Sequence, residues 1–173
     1  MIEMVVDSIR INALLPQRVV VLKELKRERY LMIVIGIPEA DAIAIKLQNH
    51  EVPRPLTHDL LSTTITELSG RVTHVLINDL VGETYYARII LDVDGRHVEL
   101  DARPSDALAL AVRAEVPVYV AETVLDTAGI EPEERDEAEA QEKPRIAADD
   151  ERLNVFRDFI EDLDLDDLGK SGS

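Results

Sequence analysis

Asp94-Gly95 lies between two alternating runs, residues 84–92 and 96–102. Such a dipeptide accepts the positive backbone φ that a tight two-residue turn demands, so it reads as a β-hairpin and makes these two runs antiparallel neighbours. A third alternating run at residues 71–80 leads into the pair. The first part of the chain shows the same period of two over residues 2–12, 17–25 and 30–35, which predicts a small antiparallel meander. Polar residues 26–29 supply its second turn, and Pro16 separates its first two strands.

Helices are expected between and after these strands. Pro38 occupies a first-turn position, and Ala42, Ile43, Ala44, Ile45 and Leu47 carry a short helix to about Asn49. The segment 51–56 contains two prolines that forbid helix and delivers the chain to Thr57. Thr57 reads as the N-cap of a helix ending near Ser69, with Gly70 as its C-terminal cap. Ser105 or Asp106 starts a helix rich in Ala and Leu that runs to about Ala114. Pro117 then opens a short strand, and residues 122–128 form a last helix closed by Gly129. The fold class is therefore α+β: a small mixed or antiparallel sheet with helices packed on it, in one domain over residues 1–130.

A chain of 173 residues that is 46% hydrophobic can bury one real core. Aromatics make up 3% and there is no Trp, so that core is aliphatic and base stacking is not the expected mode of nucleic-acid binding. The absence of cysteine removes disulfides, thiolate metal sites, iron–sulfur clusters and a Cys nucleophile. Glu3 and Asp7 near the start do not fit a signal peptide. No run approaches the roughly 18 apolar residues of a membrane span, and a cytoplasmic protein without a membrane partner is expected.

The formal net charge is −16, unlike the basic footprint of a protein that neutralises phosphates. Residues 1–130 carry 13 Lys and Arg against 19 Asp and Glu, and residues 131–173 carry 6 against 16. Most of the excess therefore lies in the tail. Residues 131–150 read as an acidic disordered linker that cannot bury enough apolar surface to offset its ordering entropy. Beyond it, within residues 151–173, Leu153, Phe156, Ile160 and Leu163 recur at helical spacing. That pattern predicts either an amphipathic helix for a protein partner or a solvated, fraying one. The acidic tail also qualifies as a polyanion mimic that competes for a basic site.

Two segments of similar form stand out as candidates for chemistry. Arg54, Pro55, Thr57, His58 and Asp59 form one, and Arg103, Pro104, Ser105 and Asp106 form the other. Each sets an Arg-Pro pair just before a helix start that bears a hydroxyl and an Asp. Helix starts expose unpaired N–H groups and a positive dipole end, and an adjacent Arg adds a bidentate donor for phosphate. Arg54, Thr57, Arg103 and Ser105 are thus candidate substrate-binding residues. The plainer alternative is that Thr57 and Ser105 cap their helices while the arginines pair with Asp59 and Asp106. On the functional reading, Asp59 and Asp106 would tolerate phosphate through a hard divalent cation, magnesium or manganese, and would be its ligands. His58 then serves as general base or ligand beside them. No organic cofactor is expected, since phosphate-loop and dinucleotide fingerprints are both lacking.

Three separated stretches carry a family resemblance: residues 33–48 (IVIGIPEADAIAIKLQ), 54–61 (RPLTHDLL) and 101–122 (DARPSDALALAVRAEVPVYVAE). In this order they resemble the bifunctional nuclease family across residues 1–130. The resemblance implies an α+β domain and nuclease activity on DNA and RNA. Some members add a UVR module after the domain, whereas the tail here is acidic and lacks that pattern. Two functions are consequently in competition: a metal-assisted nuclease with His58, Asp59 and Asp106 as its catalytic groups, and a non-catalytic regulatory module that acts through protein partners. Exposed sheet edges add the expectation of a homo-oligomer.

Overall fold

The structure is a computed structural model that describes residues 1–11 and 17–132. Pro16, all but the first two residues of the acidic linker expected over residues 131–150, and the amphipathic segment expected within residues 151–173 lie outside the described residues. Three strands come first: β1 (Ile2–Ile11), β2 (Arg18–Glu24) and β3 (Tyr30–Ile35). They pair consecutively and antiparallel, as the alternation predicts. Two helices follow, α1 (Ile37–Leu47) and α2 (Thr57–Glu67). A second antiparallel set comprises β4 (Gly70–Val81), β5 (Thr84–Val93) and β6 (Arg96–Ala102). The chain then forms α3 (Pro104–Ala114), β7 (Val118–Val120), α4 (Glu122–Ala128) and the short β8 (Gly129–Ile130). The result is an α+β domain.

Sequence alternation predicts the first meander and the β5–β6 hairpin, but not the pairing of β4 with β5 or how the two halves join. All eight strands belong to one sheet, in the order β6-β5-β4-β7-β1-β2-β3-β8. The three-residue β7 is the splice. It runs parallel to β4 and antiparallel to β1, so it satisfies both meander edges at once. The turn at Asp94 and Gly95 adopts φ values of 53° and 77°, as a tight hairpin requires.

Most of the core lies on one face of the sheet, under α1, α3 and α4. Leu22, Leu31, Val75 and Ile77 from the strands meet Ile43, Leu108 and Leu110 from the helices. Every residue from Ala107 to Ala111 is buried. The small side chains among them let α3 sit close to the sheet and to its neighbours. Val19, Val21 and Tyr30 form a second cluster with Met32 and Ile130. Because β2 is buried on both faces, it reads as an unbroken Val-Val-Val-Leu run instead of alternating.

Helix ends differ in detail from expectation. Leu56 and Arg103 are the N-cap residues of α2 and α3, which moves Thr57 and Ser105 inside the first turn. The backbone N–H of Leu56 is satisfied by Asp59 Oδ2 at 2.7 Å, so the acid caps the helix from within. At the other end of α2, Ser69 takes the left-handed conformation (φ 60°) and Gly70 opens β4. No helix among the described residues is long and apolar enough to cross a membrane.

Candidate active site

Three helices of eleven residues, α1, α2 and α3, present their N-terminal turns to one cleft of about 520 Å³. Glu39 comes from α1, Thr57 and His58 from α2, and Arg103 and Asp106 from the start of α3. The local sequence explains each start. Pro38 and Pro104 lie in the first turns of α1 and α3 with preset φ, and the two prolines flanking Arg54 keep the chain out of helix, with a bend at 53–54, until α2 begins. Each N-terminus contributes the positive end of a helix dipole.

The two Arg-Pro segments meet in this cleft. His58 Nε2 lies 3.1 Å from Asp106 Oδ1. Arg103 closes on the same carboxylate, donating from Nε to Oδ2 at 2.7 Å and from a terminal nitrogen to Oδ1 at 3.1 Å. Its fork reaches further, to Glu39 Oε1 at 2.7 Å. A continuous polar chain therefore runs Glu39, Arg103, Asp106, His58. Burial pushes the Asp106 carboxyl up, but the Arg103 and His58 hydrogen bonds outweigh it and hold the group below its ordinary value. The same pair of carboxylates raises Arg103, which is permanently cationic.

His58 is the only buried residue of α2, and its Nδ1 has no hydrogen-bond partner among the described residues. The nitrogen that faces Asp106 is Nε2, and Nδ1 is buried.

Asp59 is placed differently. It does not line the cleft, and its Oδ1 accepts a 2.5 Å hydrogen bond from Arg113 Nε. Arg113 is nearly fully buried and also donates to the carbonyls of Ala109 and Ala42, at 2.9 and 3.1 Å. One guanidinium therefore ties α1, α2 and α3 together behind the cleft. Burial raises the Asp59 carboxyl, and the Leu56 amide and Arg113 lower it by more, so it too lies below its ordinary value.

The remaining candidates separate. Ser105 is buried and faces a neighbouring depression with Thr84 and Tyr85, on the other side of Arg103. Arg54 is exposed and outside the cleft. Glu39 and Arg113 complete the arrangement although they belong to neither Arg-Pro segment. Arg113 carried one signal, a charged residue in the last turn of an otherwise small and apolar helix, but that position also reads as ordinary compensation of the helix dipole.

The donor set does not fit a metal cage. Among the described residues no three His, Asp or Glu side chains converge as ligands. Asp59 and Asp106 each face a guanidinium, not each other. What the cleft offers a ligand is Arg103, the helix N-termini and the His58–Asp106 pair.

The chain has relatives among known proteins. An uncharacterized protein of Mycobacterium tuberculosis is 40% identical over 167 residues, covering 96% of this chain and 97% of its own. Bifunctional nuclease 2 of Oryza sativa subsp. japonica is 32% identical over 102 residues, which are 57% of this chain and 31% of that protein. Bifunctional nuclease 1 of Arabidopsis thaliana is 29% identical over 92 residues, with 51% and 28% covered. The chain thus aligns with only about a third of each of these plant proteins. Residues 20–133 match the Bifunctional nuclease domain, and the chain belongs to that family.

Proposed function

We propose that the cleft binds phosphodiester backbones of DNA or RNA and hydrolyses them, with Arg103 as the anion contact and His58 and Asp106 as the proton-handling pair. The observation that carries this reading is the convergence of three helix N-termini and one guanidinium on a single concave surface. Backbone N–H groups and helix dipoles favour a polyanion there even though the domain is mildly acidic overall. Arg103 is two-thirds exposed and held only by side chains, so a phosphate oxygen can replace the Glu39 carboxylate on its fork.

In the proposed hydrolysis, water adds to phosphorus, one P–O bond breaks, and the proton lost by water ends on the leaving oxygen. His58 Nε2 with Asp106 Oδ1 is the pair that moves this proton. Thr57, on the first turn of α2, supplies a hydroxyl to a substrate oxygen. Asp59 is a positioning residue, fixing the start of α2 through Leu56 and Arg113. The proposed setting is the cytoplasm.

A second reading is favoured by one observation: the Asp106 carboxylate is already bonded to Arg103 and His58, and Glu39 to Arg103. Such a cleft can bind an anion without turning it over, as a regulatory module would. The experiment that separates the two is cleavage and binding of labelled single-stranded and duplex DNA and RNA by wild type and Asp106→Asn, with magnesium, manganese or chelator. Cleavage lost in the variant establishes the nuclease. Cleavage equal in both, or absent from both while binding persists, removes catalysis from this cleft. Activity abolished by chelator and restored by metal would restore the cation to the mechanism.

A further inference from the structure

Strand β6 ends the sheet, and among the described residues nothing pairs with its outer edge. The opposite end is closed differently, by the two-residue β8. An open edge offers a row of unpaired N–H and C=O groups, and proteins usually blunt it with charged side chains, proline, a bulge or a very short strand. β6 carries charges at Arg96, Glu99 and Asp101 but none of the other three. It spans seven residues, Arg96 to Ala102, with no Pro or Lys, and its ladder with β5 runs from Val93–Arg96 to Ala87–Ala102 without a register shift. By contrast, β1 with β2 and β4 with β5 each contain irregularities. Five of its residues are exposed and two are half-buried, and Leu100 stands 40% exposed beside the buried Ile89.

We propose that the outer edge of β6 pairs antiparallel with β6 of a second copy of this chain, about a two-fold axis through Glu99. A two-fold perpendicular to the sheet keeps side chains on their own face, so residues of the same parity must oppose one another. Centring on Glu99 uses all seven residues. It sets Val98 against Leu100 of the second copy, twice, on the face where Ile89 and Leu91 are buried. On the other face it sets His97 against Asp101, also twice. The single like-charged contact, Glu99 with Glu99, is offset because each carboxylate accepts a 2.6 Å hydrogen bond from its own Arg88.

Neighbouring registers are worse. Centring on Leu100 sets Glu99 against Asp101 twice, and centring on Val98 leaves Leu100 facing Arg96. Both also shorten the ladder to five residues. Charge and apolar matching therefore select one register and one partner.

The chain lacks cysteine, so a single introduced thiol reports its own symmetry contact. Opposed Cβ atoms across antiparallel strands lie about 4.5–5.5 Å apart, close to disulfide reach. The test compares full-length wild type, Glu99→Cys, Asp101→Cys and Leu100→Lys by light scattering after size exclusion and by mild oxidation. The expected result is a wild-type mass twice the 19.4 kDa of one chain, a disulfide-linked dimer from Glu99→Cys alone, and a folded monomer from Leu100→Lys. A monomeric wild type, crosslinking of Asp101→Cys as fast as Glu99→Cys, or a dimer untouched by Leu100→Lys in a chain with unchanged circular dichroism would overturn the proposal.

Discussion

His58 Nε2 and Asp106 Oδ1 are 3.1 Å apart across 48 residues of sequence, and this contact fuses the two Arg-Pro segments into one site. Asp106 is bonded to Arg103 as well, so one carboxylate both orients the imidazole and occupies the guanidinium that a phosphate would need. On the proposed reading, binding and proton transfer are set against each other at this residue.

That opposition gives Asp106→Asn two effects of different sign. The variant keeps the shape of the side chain but loses the charge that competes with phosphate at Arg103. Oligonucleotide binding, followed by fluorescence anisotropy, should tighten, whereas cleavage should disappear. The fold should weaken by about 1–3 kcal/mol in urea denaturation, the usual cost of a hydrogen bond to a charged group.

Arg113 governs stability more than binding, because it holds three helices from behind the cleft. Arg113→Ala leaves the Asp59 carboxylate and the Ala42 carbonyl without their donor and should cost about 2–4 kcal/mol. Arg113→Lys should recover less than half of that, since an ammonium cannot span three acceptors set for a planar fork. Urea midpoints of the three proteins provide the check.

How much of this was legible in the sequence follows from the range of the forces involved. The Asp94-Gly95 turn, the first meander and the start of each helix are local matters of φ preference and alternation, and they read correctly to within a residue or two. The splice by β7 was hidden because pairing a three-residue strand on both edges is a long-range outcome with almost no local signature. The site divides in the same way. His58, Arg103 and Asp106 were recognisable as helix-start chemistry. Glu39 and Arg113 act 64 and 54 positions from their partners, and no spacing rule connects them.

The depressed carboxyls of Asp59 and Asp106 set an acid limit on the fold. In each, burial acts upward and the cationic and amide donors act downward more strongly, leaving the folded value below the ordinary 3.8. A group that is more acidic when folded contributes stability above its unfolded value and loses it as pH falls through the folded one. Urea midpoints should therefore carry the full contribution of this pair above about pH 5 and lose it progressively below about pH 4. Asp59→Asn with Asp106→Asn should flatten that decline, and an undiminished slope in the double variant would assign the acid limit to other carboxylates.

Arg103 offers the most direct measure of phosphate contact. Among the described residues it is the guanidinium that lines the cleft, and its side chain is 67% exposed, so its removal disturbs packing little. A guanidinium that displaces one condensed counterion from a polyanion contributes about one unit to the slope of log affinity against log salt. Arg103→Ala should lower that slope by roughly one for every oligonucleotide sequence tried, because backbone contact carries no base preference. Arg54→Ala, outside the cleft, should leave the slope nearly unchanged if the cleft is where phosphate binds. Equal losses from both variants would move binding from the cleft to the general surface charge. A loss from Arg54→Ala alone would place it on the segment before α2, with the Arg103 fork serving only to tie Glu39 to Asp106.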